Sequence, residues 1–422
     1  MLRLIRNILS DRSDDFTFHR YTHSNNIDLR NKTGLYIHIP FCKNSCPYCP
    51  YIKIKYDKQL ANDYKNAMLK EISLYHDKFG KSNFTSLYIG GGTPTLLINE
   101  LDEILAHLNT CFYIEGDLAI ETSPNDINKK VLTQLKNQGF NLISLGVQSF
   151  NDDQLKCIGR NYIRQTAINA IEEIKNNGFD SVNIDLIFAI ENQSIEDIKT
   201  DLSIAVSFGI DQITCYPLFT FPFTEIGQIK ELKKIKLPKQ SLRKKMYYFI
   251  NDFLNDNGYT RTNVWSFSKN NKSNYSSVTR NFYLGLGASS GSYNGHTFYF
   301  NTFSIPEYIK VLNENKLPIS IAMDVSKKLE KNFWLYWQLY TTCINKNSYH
   351  ELFDSNLEKD FTFMLKLFKS LNYIEKENSN MMQLNTKGAH WIHLIQNYYA
   401  LSYVNKIWSE SKKNAWPEKI KI

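Results

Sequence analysis

Residues 42–49 read CKNSCPYC, which places Cys42, Cys46 and Cys49 at steps of four and three residues in a 422-residue chain with only seven cysteines. A structural zinc is held by four ligands, thiolates and imidazoles above all. The nearest candidate for a fourth ligand is His38, which falls inside the apolar run LYIHIP just before the triad. Iron–sulfur clusters are held by thiolates, and a four-iron cluster with three protein ligands leaves one iron open to another molecule. The missing fourth cysteine is then the functional feature. A second stretch, GGGTP (Gly90–Pro94), ends the next apolar run. Consecutive glycines let backbone N–H groups approach a bound carboxylate or amine without interference from Cβ. A plain tight turn would read the same in isolation; its place one unit after the cysteines is what a cofactor-binding turn requires. Cys111, Cys157, Cys215 and Cys343 are dispersed and read as packing residues. His390 and His393, three apart beside Trp391, read as solvated or packing side chains.

These residues need a scaffold that brings segment ends together, and the hydrophobic pattern supplies one. LYIHIP (35–40), SLYIGG (86–91), DLAIET (117–122), LISLGV (142–147), SVNIDLIF (181–188) and QITCYPLF (212–219) read as strands. Amphipathic helical patterns near 58–76, 98–109, 126–137, 164–177 and 194–208 separate them. Strands alternating with helices predict a parallel sheet, because each parallel connection needs a crossover. Six units fall short of the eight of a closed barrel, so the expected α/β fold is an open, partial (βα)6 barrel. The cysteines and the glycine turn then share the C-terminal edge of its strands, where such folds place ligands. After residue 220 the rhythm changes to a basic helix (239–256), a strand in TRTNVWSFS, the glycine-rich YLGLGASSGSYNG (283–295) and a mostly helical region from 304 with a small β-wing near its end.

Composition narrows the classes. With 42% hydrophobic and 22% charged residues the chain is globular. No apolar run reaches the roughly 18 residues of a membrane span. The start, MLRLIRNILS, reads as a surface helix without the apolar core of a signal peptide, so the expected location is cytoplasmic, with at most peripheral membrane contact. The formal charge of +8 is spread along the chain with one cluster at 230–239, which reads as a solvated face and not as a nucleic-acid site. An odd cysteine count without an export signal disfavours a disulfide framework.

The C-x3-C-x2-C spacing, with Tyr48 just before the last cysteine, resembles the radical S-adenosylmethionine (SAM) superfamily. The resemblance implies a 4Fe–4S cluster on Cys42, Cys46 and Cys49, whose open iron chelates the methionine moiety of SAM and whose electron cleaves it to a 5'-deoxyadenosyl radical. GLYIHIPFCKNSCPYC, YIGGGTP, IETSP, LGVQSF followed by IGRNY, and NIDLI match in order the branch typified by oxygen-independent coproporphyrinogen III oxidase, often called HemN-like. By that resemblance Tyr36 lies near the cluster, Gly91 and Gly92 bind the methionine end, and Glu121, Gln148, Arg160 and Asp185 hold methionine, ribose or adenine. Glu121, Gln148 and Asp185 also stand at or near the ends of apolar strands, where an unpartnered polar group is costly. The same resemblance divides the chain into an N-terminal extension (1–33), a radical SAM core (34–235), an extension of the barrel (236–310) and a helical, winged-helix-like C-terminal domain (311–422).

The substrate is less legible. The coproporphyrinogen oxidases carry a further cysteine two residues after the third, where this chain has Tyr51, and the haem chaperones of the branch carry a His-Asn…Tyr-Trp motif where this chain has NYSSVTRNFY, without a histidine. FAIENQS, with Ala189 and Glu191, replaces the usual Tyr-Gly-Leu-Pro turn. An aromatic content of 14%, with TFYFNTFS and YPLFTFPF after the last strand, suits a planar substrate. The expected activity is radical methyl transfer to an sp2 carbon of a planar aromatic substrate, such as a quinone, using one or two SAM molecules, the second near Tyr36, with a flavodoxin or ferredoxin as electron donor. The alternatives are coproporphyrinogen oxidation or other tetrapyrrole chemistry, and haem chaperoning.

Overall fold

The computed structural model describes residues 16–22, 27–231, 235–269, 276 and 281–422. The MLRLIRNILS segment lies outside these residues, as do part of the basic cluster at 230–239 and most of NYSSVTRNFY. All six expected strands form: β1 (Thr33–Ile39), β2 (Leu87–Gly91), β3 (Leu118–Thr122), β4 (Leu142–Gln148), β5 (Ser181–Phe188) and β6 (Gln212–Pro217). They pair in chain order and in parallel. Helices α1 (Lys58–Phe79), α2 (Ile98–Cys111), α3 (Lys129–Asn137), α4 (Arg164–Asn176) and α5 (Ile195–Ser207) fill the crossovers.

Local chemistry sets several boundaries. Asp57 caps α1 by accepting from the Leu60 N–H, and α1 stops at Gly80, whose φ of 67° few other residues adopt readily. Ser194 and Asp197 form a reciprocal capping box at the start of α5. The pattern near 126–137 becomes helix only from Lys129, because a short 3-10 turn, Pro124–Asp126, comes first. Along β1, Leu35, Ile37 and Ile39 are buried against the helices, while Tyr36 joins Tyr88, Ala119 and Leu142 on the other face.

The sheet extends further than six strands. β7 (Phe282–Leu286), inside the glycine-rich stretch, runs parallel to β1 on the side away from β2, with Gly285 opposite Tyr36. From β7 the sheet continues antiparallel through Gly291–Tyr293, Thr297–Asn301 and Ile319–Asp324 to Thr17–Arg20 and Lys419–Lys421. At its other edge β6 meets Ser266–Ser268, which pairs with Thr260–Arg261. TRTNVWSFS is therefore a hairpin and not one strand; Asn263 Oδ1 accepts from the Trp265 and Ser266 N–H groups at 2.9 Å each and makes the turn. Among the described residues the sheet has fourteen strands in an open order, drawn from all four segments named above.

One buried carboxylate fixes the exit of β7. Glu71 on α1 accepts from the Gly287 N–H (2.8 Å), the Tyr308 hydroxyl (2.6 Å) and the Asn301 amide (2.7 Å). Burial raises it to about 7, and those three donors pull the other way. Gly287 has φ +96°, and a Cβ there would lie 2.6 Å from both the His38 carbonyl oxygen and the Tyr64 hydroxyl. The turn after β7 is thus pressed against the end of β1.

The C-terminal region includes α6 (Gln240–Asp256), α7 (Lys327–Tyr340), α8 (Thr386–Tyr399) and α9 (Asn405–Lys413). The expected wing is the antiparallel pair Ile374–Glu377 and Met381–Leu384, widened by Cys343–Asn345. His393 is buried and its Nδ1 accepts from the Trp265 indole at 2.9 Å. Burial holds it down to about 3, which makes it a neutral packing residue.

Candidate active site

The end of β1 runs through Pro40 and Phe41 straight into the cysteine loop. That loop is closed by its own backbone: Ile54 N–H donates to Pro40 O (2.8 Å) and Tyr56 N–H to Cys42 O (2.9 Å). Cys42, Cys46 and Cys49 are all free and partly exposed. Burial raises Cys49 and pushes Cys42 up to about 11, and the neighbouring Cys46 adds to both rises.

The glycine turn is locked to this loop. Gly92 N–H donates to Ile39 O and Thr93 N–H to Phe41 O, both at 2.8 Å. A Cβ on Gly92 would lie 2.5 Å from Phe41 O and 2.9 Å from Cys42 Sγ, and one on Gly91 (φ +118°) would lie 2.7 Å from His38. Only glycine lets the two segments touch. IGRNY clamps the loop from another side. A Cβ on Gly159 (φ +72°) would meet Pro47 at 2.5 Å, and the Arg160 guanidinium donates to the Tyr48 hydroxyl. Lys53 donates to the carbonyl oxygens of Cys46 and Cys49.

Polar side chains from successive strand ends surround the loop. Glu121, on β3, accepts from Gly91 N–H at 3.0 Å and from the Tyr88 hydroxyl. Asp185, on β5, accepts from the Asn183 amide at 2.9 Å; burial and then the Glu121 charge raise it to about 7. Burial also raises Glu121. Gln148, at the end of β4 with φ +69°, is buried and accepts from the Tyr216 hydroxyl at 3.0 Å. Arg160 Nε is buried without a hydrogen-bond partner. Tyr36 meets the Tyr88 ring at 5.8 Å, and its hydroxyl lies 2.9 Å from His38 Nδ1. Burial lowers His38 to about 4, so it is a neutral partner inside the strand.

Of the ten predicted residues, Gly91, Glu121 and Gln148 lie at the C-terminal ends of their strands, the three cysteines and Gly92 follow strand ends and Arg160 lies in a loop after β4, while Tyr36 and Asp185 lie within β1 and β5, three residues short of their ends. Sequence reasoning missed Tyr88, which sits inside the YIGGG motif, and Asn183, which sits inside NIDLI. It noted Tyr51 only as a departure from the oxidases. Tyr51 is 49% exposed, and its phenol is raised first by the surrounding protein and then by the charges of Glu121, Cys49 and Asp185.

The radical SAM superfamily profile matches residues 36–204. The haem chaperone HemW of Buchnera aphidicola subsp. Schizaphis graminum is 33% identical over 265 residues, 61% of this chain and 69% of that protein. The chain belongs to the HemN-like branch of the radical SAM superfamily. The Bacillus subtilis (strain 168) haem chaperone HemW is 28% identical over 340 residues, covering 78% of this HemN-like chain and 89% of the relative. In fold, the chain is similar to the Escherichia coli radical SAM enzyme coproporphyrinogen III oxidase (HemN), with a TM-score of 0.74 at 23% identity over 87% of this chain and 89% of that one.

The superfamily implies a 4Fe–4S cluster and SAM, and the residues fit both. Among the described residues no three His, Cys, Asp or Glu side chains converge as the ligands of a single ion would. Thiolates on separate irons of one cluster stand further apart than that. Three half-buried thiols on one loop are suited to a cationic iron core, since a coordinating thiol gives up its proton. The partnerless Arg160 Nε and the paired acids Glu121 and Asp185 are suited to a ligand carrying carboxylate, ammonium and ribose hydroxyls. Among the described residues no helix is long and apolar enough to cross a membrane.

Proposed function

We propose that this HemN-like protein cleaves SAM reductively and turns the resulting radical on a tetrapyrrole. The observation that carries the first part is the set of Glu121, Gln148 and Asp185 on β3, β4 and β5 together with Arg160, which donates to Tyr48 inside the cysteine loop and has a buried guanidinium N–H left unpaired. When bound, a four-iron cluster supplies the electron that breaks the C–S bond of SAM. Cys42, Cys46 and Cys49 would hold the cluster. Gly91 and Gly92 would let the backbone approach the methionine end, and Glu121 would take its ammonium. Asp185 and Arg160 would take the ribose and adenine side, with Gln148 turned inward between them. Tyr36, beneath Glu121, would close the floor of the site.

The tetrapyrrole comes from the relatives, which are named for haem and for coproporphyrinogen. Nothing in the comparisons supports the methyl transfer to an sp2 carbon expected from the sequence, nor the quinone offered as one such acceptor, and the tetrapyrrole alternative takes its place. A second reading, haem chaperone, is favoured by the extent of the HemW matches. The decisive experiment reconstitutes the protein anaerobically with iron and sulfide, then adds reductant, SAM and coproporphyrinogen III. 5'-Deoxyadenosine formed together with a decarboxylated porphyrinogen is the expected result. Stoichiometric haem uptake with no product from coproporphyrinogen moves the assignment to the chaperone reading. Protein with a full cluster that neither cleaves SAM nor binds a tetrapyrrole overturns both.

A further inference from the structure

The aromatic content of the chain is not spread evenly around this site. Tyr51 directly follows the cysteine loop, and its ring centroid lies 5.4 Å from that of Trp408 on α9, more than 350 residues later in the chain. Trp408 stacks on Phe221 at 6.0 Å with 27° between planes, and Phe223 meets its edge at 6.5 Å. Phe221 and Phe223 belong to the PLFTFPF segment that leaves β6. Three distant parts of the chain thus meet at the mouth of the barrel. The contact is cemented by Lys412, one turn after Trp408: its ammonium lies 4.2 Å over the Phe223 ring and donates to Pro50 O at 3.1 Å. An ammonium has three donors, and Pro50 takes one.

Within this group Tyr51 is unusual. Phe221 is buried, whereas Tyr51 keeps 49% of its surface open, although its phenol feels the charges of Cys49, Glu121 and Asp185. A half-exposed aromatic ring whose phenol feels those acids, in one cluster with a lysine that touches Phe223 and Pro50, has the chemistry to receive an aromatic ring that carries carboxylate arms.

We infer that Tyr51, backed by Trp408, is the specificity-determining face on which a ring of the tetrapyrrole stacks, with Lys412 placed to meet one of its carboxylates. This rests on the tetrapyrrole reading above and assigns residues to it. One pyrrole ring of the substrate lies on Tyr51, with carboxylates of the macrocycle toward α9. Tyr51 acts by contact and orientation, and no bond is made or broken at its hydroxyl.

The test is equilibrium dialysis of the anaerobically reconstituted full-length protein, with SAM present, against coproporphyrin III. Iron content and deoxyadenosine yield are measured on each sample. Tyr51→Ala is expected to weaken porphyrin binding about tenfold, and Trp408→Ala about threefold, while Tyr51→Phe stays within about twofold of the parent. A loss of porphyrin binding counts for the inference only in a sample whose iron content matches the parent. Parent-level porphyrin binding by Tyr51→Ala overturns the inference and leaves the tetrapyrrole reading standing. A parent protein that cleaves SAM but binds no porphyrin overturns both. Tyr51 adjoins the cluster loop in the chain, so if its alanine variant loads less iron, Trp408→Ala decides: distant in sequence from the three cysteines, it must weaken porphyrin binding with full iron, or the inference fails.

Discussion

Two groups of buried acids flank β1, and they are built differently. On the β7 side, Glu71 receives three donors, from a backbone amide, a tyrosine and an asparagine, inside packed protein. On the β2 side, Asp185 receives Asn183, Glu121 receives Tyr88 and Gly91, and Arg160 nearby has an unpaired Nε. Burial raises both Glu71 and Asp185 to about 7. The shift alone therefore does not tell structure from function; the completeness of the hydrogen bonding does. A saturated carboxylate latches two segments together, and an incompletely satisfied group beside cysteines and a glycine turn waits for a ligand.

The largest expected effect tests whether the second group surrounds a cluster at all. Cys46→Ala should lose nearly all iron and the visible iron–sulfur absorbance after reconstitution; iron that stays at parent levels would remove the basis for everything at this edge. Next, Glu71→Ala should cost about 3–5 kcal/mol in urea unfolding, since it strands three buried donors and opens a cavity. SAM affinity of the protein that remains folded should change little, and a larger effect on SAM than on stability would erase the contrast between the two acids.

Asp185→Asn should do the reverse, weakening SAM binding by about 10- to 100-fold in calorimetry with little loss of stability, as expected for a hydrogen bond to a charged group. Its pH behaviour sharpens the point. An aspartate ordinarily ionises near pH 4 (about 3.9), and here the folded value is about 7. The folded form thus keeps a proton that the unfolded form has released. The contribution of Asp185 to the stability of the SAM-free protein is fully present below about pH 4 and is lost as pH rises toward about 7. Asp185→Asn should flatten that decline in urea midpoints taken across the window, while the share due to Glu71 remains. The smallest effect belongs to an exposed cysteine outside the triad: Cys157→Ser should alter stability by no more than about 0.5 kcal/mol and leave iron content as it was.

How much of this was legible beforehand differs by element. The six parallel strands were readable because each is a short β-branched run whose burial imposes its own pattern, and the five crossover helices because their apolar stripe repeats within three or four residues. The triad and the glycine turn were readable because thiolate spacing and missing Cβ atoms are local facts. TRTNVWSFS misled because its apolar run hides a turn made by one side chain, Asn263. Ile319–Asp324 was taken into a mostly helical region because six residues give too short a pattern to separate strand from helix.

By itself, then, the sequence determined the chemistry this chain can hold: three thiolates, a glycine turn, and acids in apolar strands, each recognisable from its own short stretch of chain. Tertiary structure alone decided what surrounds that chemistry. It placed β7 against β1 across more than 240 residues, sealed Glu71 with donors from residues 287, 301 and 308, and brought Trp408 onto Tyr51. Such contacts leave no periodic trace, because the partners pay the entropy of a long loop only once the core has formed, and no local pattern records which surface they will meet.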